Sequence, residues 1–334
     1  VTVAKTITVT VTDANDTPVI TSSSFNAAEN QTAVGSVLAT DADVPADTLT
    51  WSLTGGGADS GAFTVSPTGV LSFNTAPNFE SPGDSDGDNV YAVEVQVNDG
   101  TDTVAKTITV TVTDANDAPV ITSSSFNAAE NQTAVSSVLA TDADVPADTL
   151  SWSLTGGGAD SGLFTLSTGG VLSFNTAPNF EIAGDANGDN VYEVGVQVND
   201  GTVTVTKTIT VTVTDANEAP TAIGLSNLSV AENAAGAVIG NLSTTDADGG
   251  DSHIYTVDDT RFEVVGDQLK LKAGQSLDHE TEPSVTLTVT STDTGTLSTS
   301  QGFTISVTDA NDAPVITSSR SLVRRISSTC MHIG

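Results

Sequence analysis

Residues 12–100 and 113–201 carry almost the same string, with position 113 standing where 12 stood. VITSSSFNAAENQTAV, VLATDADVPADTL and FNTAPNFE all occur twice. A third, diverged copy spans about 214–308 and keeps AEN (231–233), DAD (246–248) and a closing DAND (309–312). A chain with a period near a hundred residues is a string of similar domains, each contacting only its neighbours. The 334 residues leave room for two to four of them.

Each copy reads as strand throughout. TITVTVT places Ile108, Val110 and Val112 on one face and threonines on the other, the period of two that a half-buried strand requires. VYAVEVQVND does the same with Tyr91, Val93, Val95 and Val97. Shorter runs (VITSSSF, AVGSVLATD, TLTWSLT, AFTVS, VLSFN) precede these, separated by Gly, Pro, Asn and Asp. About seven strands per repeat and no helical period predict an all-β fold, a row of immunoglobulin-like seven-stranded sandwiches.

Charge narrows the partners. Asp and Glu number 42 against nine Lys plus Arg, a formal charge of -33. That balance argues against nucleic acid or an anionic membrane as partner and favours cations. Clean apolar alternation argues against disorder. No apolar run is long enough to predict a membrane span. Cys330 is the sole cysteine, so no disulfide forms within the chain. It is either cytosolic or an exported chain stapled by metal.

The string TDANDAP stands at 113–119 and 308–314, with TDANDTP at 12–18 and TDANEAP at 214–220. Each follows a Thr/Val strand of about 11 residues, roughly 36 Å long, and so lies where one sandwich hands over to the next. Asp and Asn also simply end strands and make turns, but four copies with acidic partners elsewhere ask for more. Clustered carboxylates repel one another, and basic residues are too few to balance them. A hard divalent cation with six to eight oxygen ligands would balance them. Ca²⁺ accepts carboxylate, amide and backbone oxygens together.

The ordered set AEN, NFE or LDHE, DAD, NDG or TDTG, and DAND resembles the cadherin repeat, in the bacterial form found in large RTX-type surface adhesins. The resemblance covers residues 1 to about 317. It implies tandem cadherin-type sandwiches of about 94–101 residues that share calcium at their junctions. The expected division is 1–18 (last strand and linker of a preceding repeat), 19–117, 118–217, 218–312, and 313–334 (start of a next repeat plus an aberrant basic tail). In this chain the first full junction would use Glu29, Glu80, Asp114, Asn116 and Asp117 with Asp142, Asp144 and Asp200. The second would use Glu130, Glu181, Asp215, Asn217 and Glu218 with Asp246, Asp248 and Asp293. Glu218 stands where the linker elsewhere has Asp. Asn78 and Asn179 stand where the third repeat has Asp278, two residues before Glu280. At the chain's ends, the linker 13–16 facing Asp41, Asp43 and Asp99, and the linker 309–312, would form incomplete sites.

A further candidate lies within the first two repeats. GDSDGDN sets Asp84, Asp86 and Asp88 at alternate positions, and GDANGDN sets Asp185, Asn187 and Asp189 likewise. Alternate acids in a tight loop point oxygens at one centre, yet the closing Glu of an EF-hand is missing. A calcium loop and a solvated acidic turn both fit.

Other features are plainer. Trp51 and Trp152 fall in a strand and read as core, with exposed sugar stacking as the other reading. The glycines at 55–61 and 156–162 read as loops. The segment RSLVRRISSTCMHIG (320–334) lacks the length and apolar face of a membrane anchor. No Ser or Cys stands with His and acid in a repeated pattern, so turnover has no support.

The expected function is a calcium-binding, calcium-rigidified stalk and adhesion segment of an extracellular, cell-surface protein. Its partners would be calcium, further repeats of the same chain, and another cell surface or like molecules in homophilic adhesion. The alternative is an accessory or carbohydrate-binding module of a larger extracellular enzyme.

Overall fold

The computed structural model describes residues 1–313; the expectations for the tail fall outside the described residues. Two compact units divide the chain, Val1–Thr214 and a second beginning at Asp215.

In the first unit, residues 19–113 form one sandwich. Its strands are β1 (Val19–Ile20), β2 (Ser24–Ala28), β3 (Ala33–Ser36), β4 (Ala39–Thr40), β5 (Thr50–Leu53), β6 (Phe63–Val65), β7 (Val70–Phe73), β8 (Val90–Asn98) and β9 (Thr103–Thr113). The expected seven become nine because two are broken: β1 and β2 by Thr21–Ser23, β3 and β4 by Val37–Leu38. One sheet runs β2-β9-β8-β5, with β2 parallel to β9 and the other pairs antiparallel. Opposite it lie β3-β7-β6 and the pair β1-β4. The only helical element of this sandwich is a 3-10 turn at Ser60–Ala62.

Alternation decides which side is buried. Val93, Val95 and Val97 of β8 and Ile108, Val110 and Val112 of β9 are at most 1% exposed. Each such aliphatic side chain contributes about 1.5–3 kcal/mol of transfer free energy. Phe63 packs against Phe73 at 4.4 Å between ring centroids, and Tyr91 meets both edge-on. Trp51 is buried in the same core, which removes the stacking face a sugar would need. Residues 120–214 repeat the arrangement, with Trp152, Phe164, Phe174 and Tyr192 in the matching places.

Residues 2–12 have the same sequence as β9, yet they form no strand and leave Val3, Ile7, Val9 and Val11 exposed. The string becomes a strand at 103–113 because β2 and β8 flank it there and satisfy its backbone groups. Among the described residues nothing pairs with 2–12.

In the second unit, strands Ala222–Leu225, Val238–Thr245, Gln268–Leu271 and Phe262–Val265 form one sheet. Ser229–Ala231, Ser298–Thr308, Ser284–Thr292 and Ile254–Val257 form the other. Here the counterpart of β3 and β4 is continuous. Tyr255 stands opposite Ser291, and Thr244 Oγ1 lies 2.8 Å from both their hydroxyls. A short hydroxyl chain thus replaces the apolar contact between Trp51 and Val97.

Candidate metal centre

Buried Glu29, at the end of β2, is held by backbone. Its Oε2 accepts from Phe79 N at 2.7 Å and its Oε1 from Ala115 N at 3.0 Å. Because one amide comes from the loop after β7 and the other from the linker after β9, Glu29 ties both to the same end of the sandwich. Glu80 and Asp114 join it there. One oxygen of each of the three lies within 4.8 Å of the others. Both Glu80 carboxylate oxygens are buried without a hydrogen-bond partner. Burial, followed by the negative charges of Glu29, Asp117 and Asp114, holds the Glu80 carboxyl above its usual range. Asp114 is raised by burial and by Asp144 and Glu29.

The linker crosses to the next sandwich through two hydrogen bonds. Asp117 N donates to Asp144 Oδ1 at 3.0 Å, and Asn116 Nδ2 donates to Asp200 Oδ2 at 3.1 Å. Asn30, in left-handed conformation, donates from Nδ2 to Asp117 Oδ1 at 3.0 Å. Asp144 N donates in turn to Asp142 Oδ1. The second oxygens of Asp142 and Asp144 are buried and unpartnered. Burial and the neighbouring Asp144 raise Asp142, whereas the amides of Val203 and Thr202 hold Asp200 low. A cavity of about 320 Å³ opens here, lined by Asp114, Asn116, Asp144, Pro146, Asp148 and Thr202.

Of the residues expected at the first full junction, Glu29, Glu80, Asp144 and Asp200 meet the 114–117 linker directly, and Asp142 reaches it through Asp144. No Lys or Arg pairs with them among the described residues. Lys106, the one basic residue of the first full sandwich, gives its Nζ to the Ile20 carbonyl instead.

Expected residues of the second junction divide between the units. In the first, Glu130 Oε2 accepts from Phe180 N at 2.8 Å, and Asn179 donates to Glu181. In the second, Glu218 N donates to Asp248 Oδ2 at 2.8 Å, and Asn217 Nδ2 to Asp293 Oδ2 at 3.0 Å. These are the bonds of the first junction over again, so Glu in place of Asp leaves the backbone contact unchanged. Asp215, Asn217, Asp248, Gly249 and Asp251 line a cavity of about 260 Å³. Asp246 departs from the pattern: His253 Nε2 lies 2.8 Å from its Oδ2.

Each terminal linker docks against one sandwich. Asp41, Asp43 and Asp99 cluster on the top of the first sandwich. Asp16 N donates to Asp43, Val44 N to Asp13 Oδ2, and Asn15 to Asp99 and Asp102. At the other end Glu232 accepts from Ala310 N and His279 N, and clusters with Glu280 and Asp312.

Asp84, Asp86 and Asp88 gather, and Asp84 accepts from the amides of Asp88 and Asn89 as Glu29 does from those of Phe79 and Ala115. Asp185 accepts from Gly188, Asp189 and Asn190, and Asn187 donates to Asp189. Backbone amides hold Asp84 and Asp185 low against the opposing effect of burial. These bonds are what a self-closing acidic turn requires. The third repeat has no such loop; there Arg261 bridges Asp259 at 2.7 Å and Glu282 at 2.5 Å.

Sequence reasoning missed Asp148 and Asp251, which line the two cavities, and Asn30, which holds Asp117. Asp148 could have been found from DADVPAD, whose last Asp recurs at 47 and 148. Asn30 follows Glu29 in AEN, a motif that supplied only its Glu.

Known proteins share the fold of these repeats. A family model described as "Bacterial cadherin-like domain" matches residues 15–114 and 116–215. Among solved structures, Mouse Cadherin-23 EC22-24 is 21% identical with a TM-score of 0.52, the match covering 89% of this chain and 100% of that one. Human CDH23 EC21-23 is 19% identical with a TM-score of 0.54, over 87% and 100%. The Protocadherin GammaB4 extracellular domain is 24% identical with a TM-score of 0.55, over 90% and 51%.

Proposed function

The chain belongs to the bacterial cadherin-like domain family, and from that premise we propose that it is a calcium-stiffened segment of an extracellular, cell-surface adhesin built from many such repeats. The observation that carries this reading is the set of orphaned oxygens at the first full junction. Four buried carboxylate oxygens, on Glu80, Asp142 and Asp144, have no donor. A buried charge without a partner costs several kcal/mol, so a folded chain that keeps these three carboxylates at one junction fits ligation of a cation there. The donors are all hard oxygens, with no thiolate and no imidazole among them, which suits Ca²⁺ over Zn²⁺.

Bound calcium would supply positive charge and coordination shared between the two sandwiches. The chain's own residues do the rest. Glu29 holds the loop after β7 and the linker together. Asp117 and Asn116 fasten the linker to the sandwich below. Two charges within 4.8 Å of each other, as in the Glu29–Glu80–Asp114 group, repel by at least roughly 1 kcal/mol in water and about 3–4 at an effective dielectric of 20. Without a cation that repulsion loosens the junction; with one it becomes the source of stiffness. Dissociation constants near 10⁻⁴ to 10⁻³ M, of order those of extracellular modules, would make the rod stiff outside a cell and slack inside. The role is binding and spacing, with no turnover.

Calorimetric calcium titration of the chain tests this. Saturable heat, lost in Glu80→Gln with Asp144→Asn, is the expected result; a flat titration up to several millimolar rejects it.

A further inference from the structure

The first Asp of each DAD motif is held alike at one oxygen and differently at the other. Asp43 N donates to Asp41 Oδ1 at 3.0 Å, Asp144 N to Asp142 Oδ1 at 3.2 Å, and Asp248 N to Asp246 Oδ1 at 3.4 Å. In the first two repeats the second oxygen, Oδ2 of Asp41 and of Asp142, is buried without a hydrogen-bond partner. In the third repeat that oxygen is taken, because His253 Nε2 stands 2.8 Å from Asp246 Oδ2. A carboxylate only accepts, so the imidazole N–H donates. The contact is enclosed: the Asp246 side chain is 4% exposed and that of His253 12%.

Strand register shows why the first two repeats have no such donor. Trp51 pairs with Val97, Trp152 with Val198 and Tyr255 with Ser291. Asp99, Asp200 and Asp293 follow those partners at the same spacing, so the three aromatics occupy one place in the fold. Leu49, Leu150 and His253 precede them at the same spacing and therefore share a place as well. Leu49 and Leu150 pack against the cores of their sandwiches and have no proton to donate. The third repeat puts an N–H donor where the other two put a leucine.

A donor at that place changes what a cation meets. An orphaned buried oxygen gains its first partner when a cation arrives, whereas Asp246 Oδ2 already has one and must share or surrender it. We propose, resting on the calcium reading above, that His253 lowers the calcium affinity of the Asp246 site below that of the Asp142 site, so that the two sites fill at different calcium concentrations. His253 is a positioning residue: it acts through Asp246 and does not itself ligate, since its Nε2 carries the proton given to the carboxylate. In the metal-free chain the same bond supplies the partner that Asp142 Oδ2 lacks, so the Asp246 site holds together with less need of a cation.

Calorimetric calcium titration of the whole chain at one fixed pH, with His253→Leu and His253→Gln beside the native chain, tests it. The native isotherm should show a tighter and a weaker class of sites. His253→Leu, which copies Leu49 and Leu150, should move a site from the weaker class toward the tighter one by about tenfold, the size of a hydrogen bond to a charged group. His253→Gln keeps an N–H donor and should follow the native isotherm. In proton NMR the ring signal of His253, identified by its loss in His253→Leu, should shift over the calcium concentrations that fill the weaker class. A His253→Leu isotherm that matches the native one overturns the proposal. So does a His253→Gln isotherm that matches that of His253→Leu, or a ring signal that moves with the tighter class. If His253→Leu does not fold, Leu150→His takes its place: it should weaken the tighter class by about tenfold, and an unchanged isotherm rejects the proposal. A flat native titration rejects the calcium reading and this proposal with it, whereas a saturable one that His253→Leu leaves unmoved rejects this proposal alone.

Discussion

Asp117 and Asp144 are joined by a single bond, the amide of the first donating to Oδ1 of the second at 3.0 Å, while Oδ2 of Asp144 stays buried with no donor. One oxygen of this side chain therefore fastens the linker, and the other is the one that the proposed calcium would engage. The equivalent bond from Glu218 N to Asp248 recurs at 2.8 Å in the second unit.

Chelation should separate these tasks. With EDTA the sandwich cores persist, because Val93, Val95 and Ile108 do not depend on the linkers, but the junctions slacken. Small-angle scattering should broaden toward a flexible string, and the melting temperature should fall by several degrees, since a ligand held at about 100 times its dissociation constant contributes about 2.7 kcal/mol. Superimposable scattering and melting curves with and without EDTA would count against calcium junctions.

Asp142→Asn should act in opposite directions with and without metal. Asparagine keeps an oxygen for Asp144 N and removes one buried negative charge. In chelator the variant should melt at or above the native temperature, and its gain on adding calcium should shrink. Differential scanning calorimetry in both conditions checks this; a large loss in chelator would mean the carboxylate supports the core itself.

Acidity should stabilise the metal-free chain over a limited window. Glu80, Asp114 and Asp142 have carboxyls raised above their ordinary values of 4.5, 3.8 and 3.8. A group raised in the folded state binds protons more tightly folded than unfolded, so stability grows as pH falls through its folded value and is lost as pH rises through it. Asp99, Asp200 and Glu232 are held low by backbone amides, and their contribution is lost only below the ordinary carboxylate range. In chelator the melting temperature should thus climb from neutral pH to about pH 5 and fall below about pH 4. A steady fall from neutrality downward would sink this assignment.

Gly69→Ala should damage the first sandwich without touching calcium. Gly69 has a φ of +87°, and an added Cβ would stand 2.9 Å from both the Val37 carbonyl oxygen and Trp51 Nε1. Left-handed strain alone costs on the order of 1–3 kcal/mol. Urea unfolding should show a loss of about that size or more, with the calcium affinity of the correctly folded fraction unchanged.

Strand faces were readable because a pleat has period two: once Val93 faces the core, Val95 and Val97 must follow. The acids and amides of the junctions were readable as residue types because they recur at fixed places in each repeat. The breaks that split β1 from β2 and β3 from β4 were not, since Thr21–Ser23 and Val37–Leu38 look like any other strand residues. At the acidic turn 84–88 the spacing was legible but the amides that Asp84 accepts from were not.

Composition and periodicity alone determined a row of β-sandwiches with acid at every handover, because alternation and repetition are local properties of the chain. Which acids lose their donors, that Asn30 reaches Asp117 from 87 positions away, and that Leu38 faces outward while Val37 faces inward, were decided only in three dimensions. Burial and hydrogen bonding depend on what the rest of the chain brings alongside, and no stretch of residues carries that within itself.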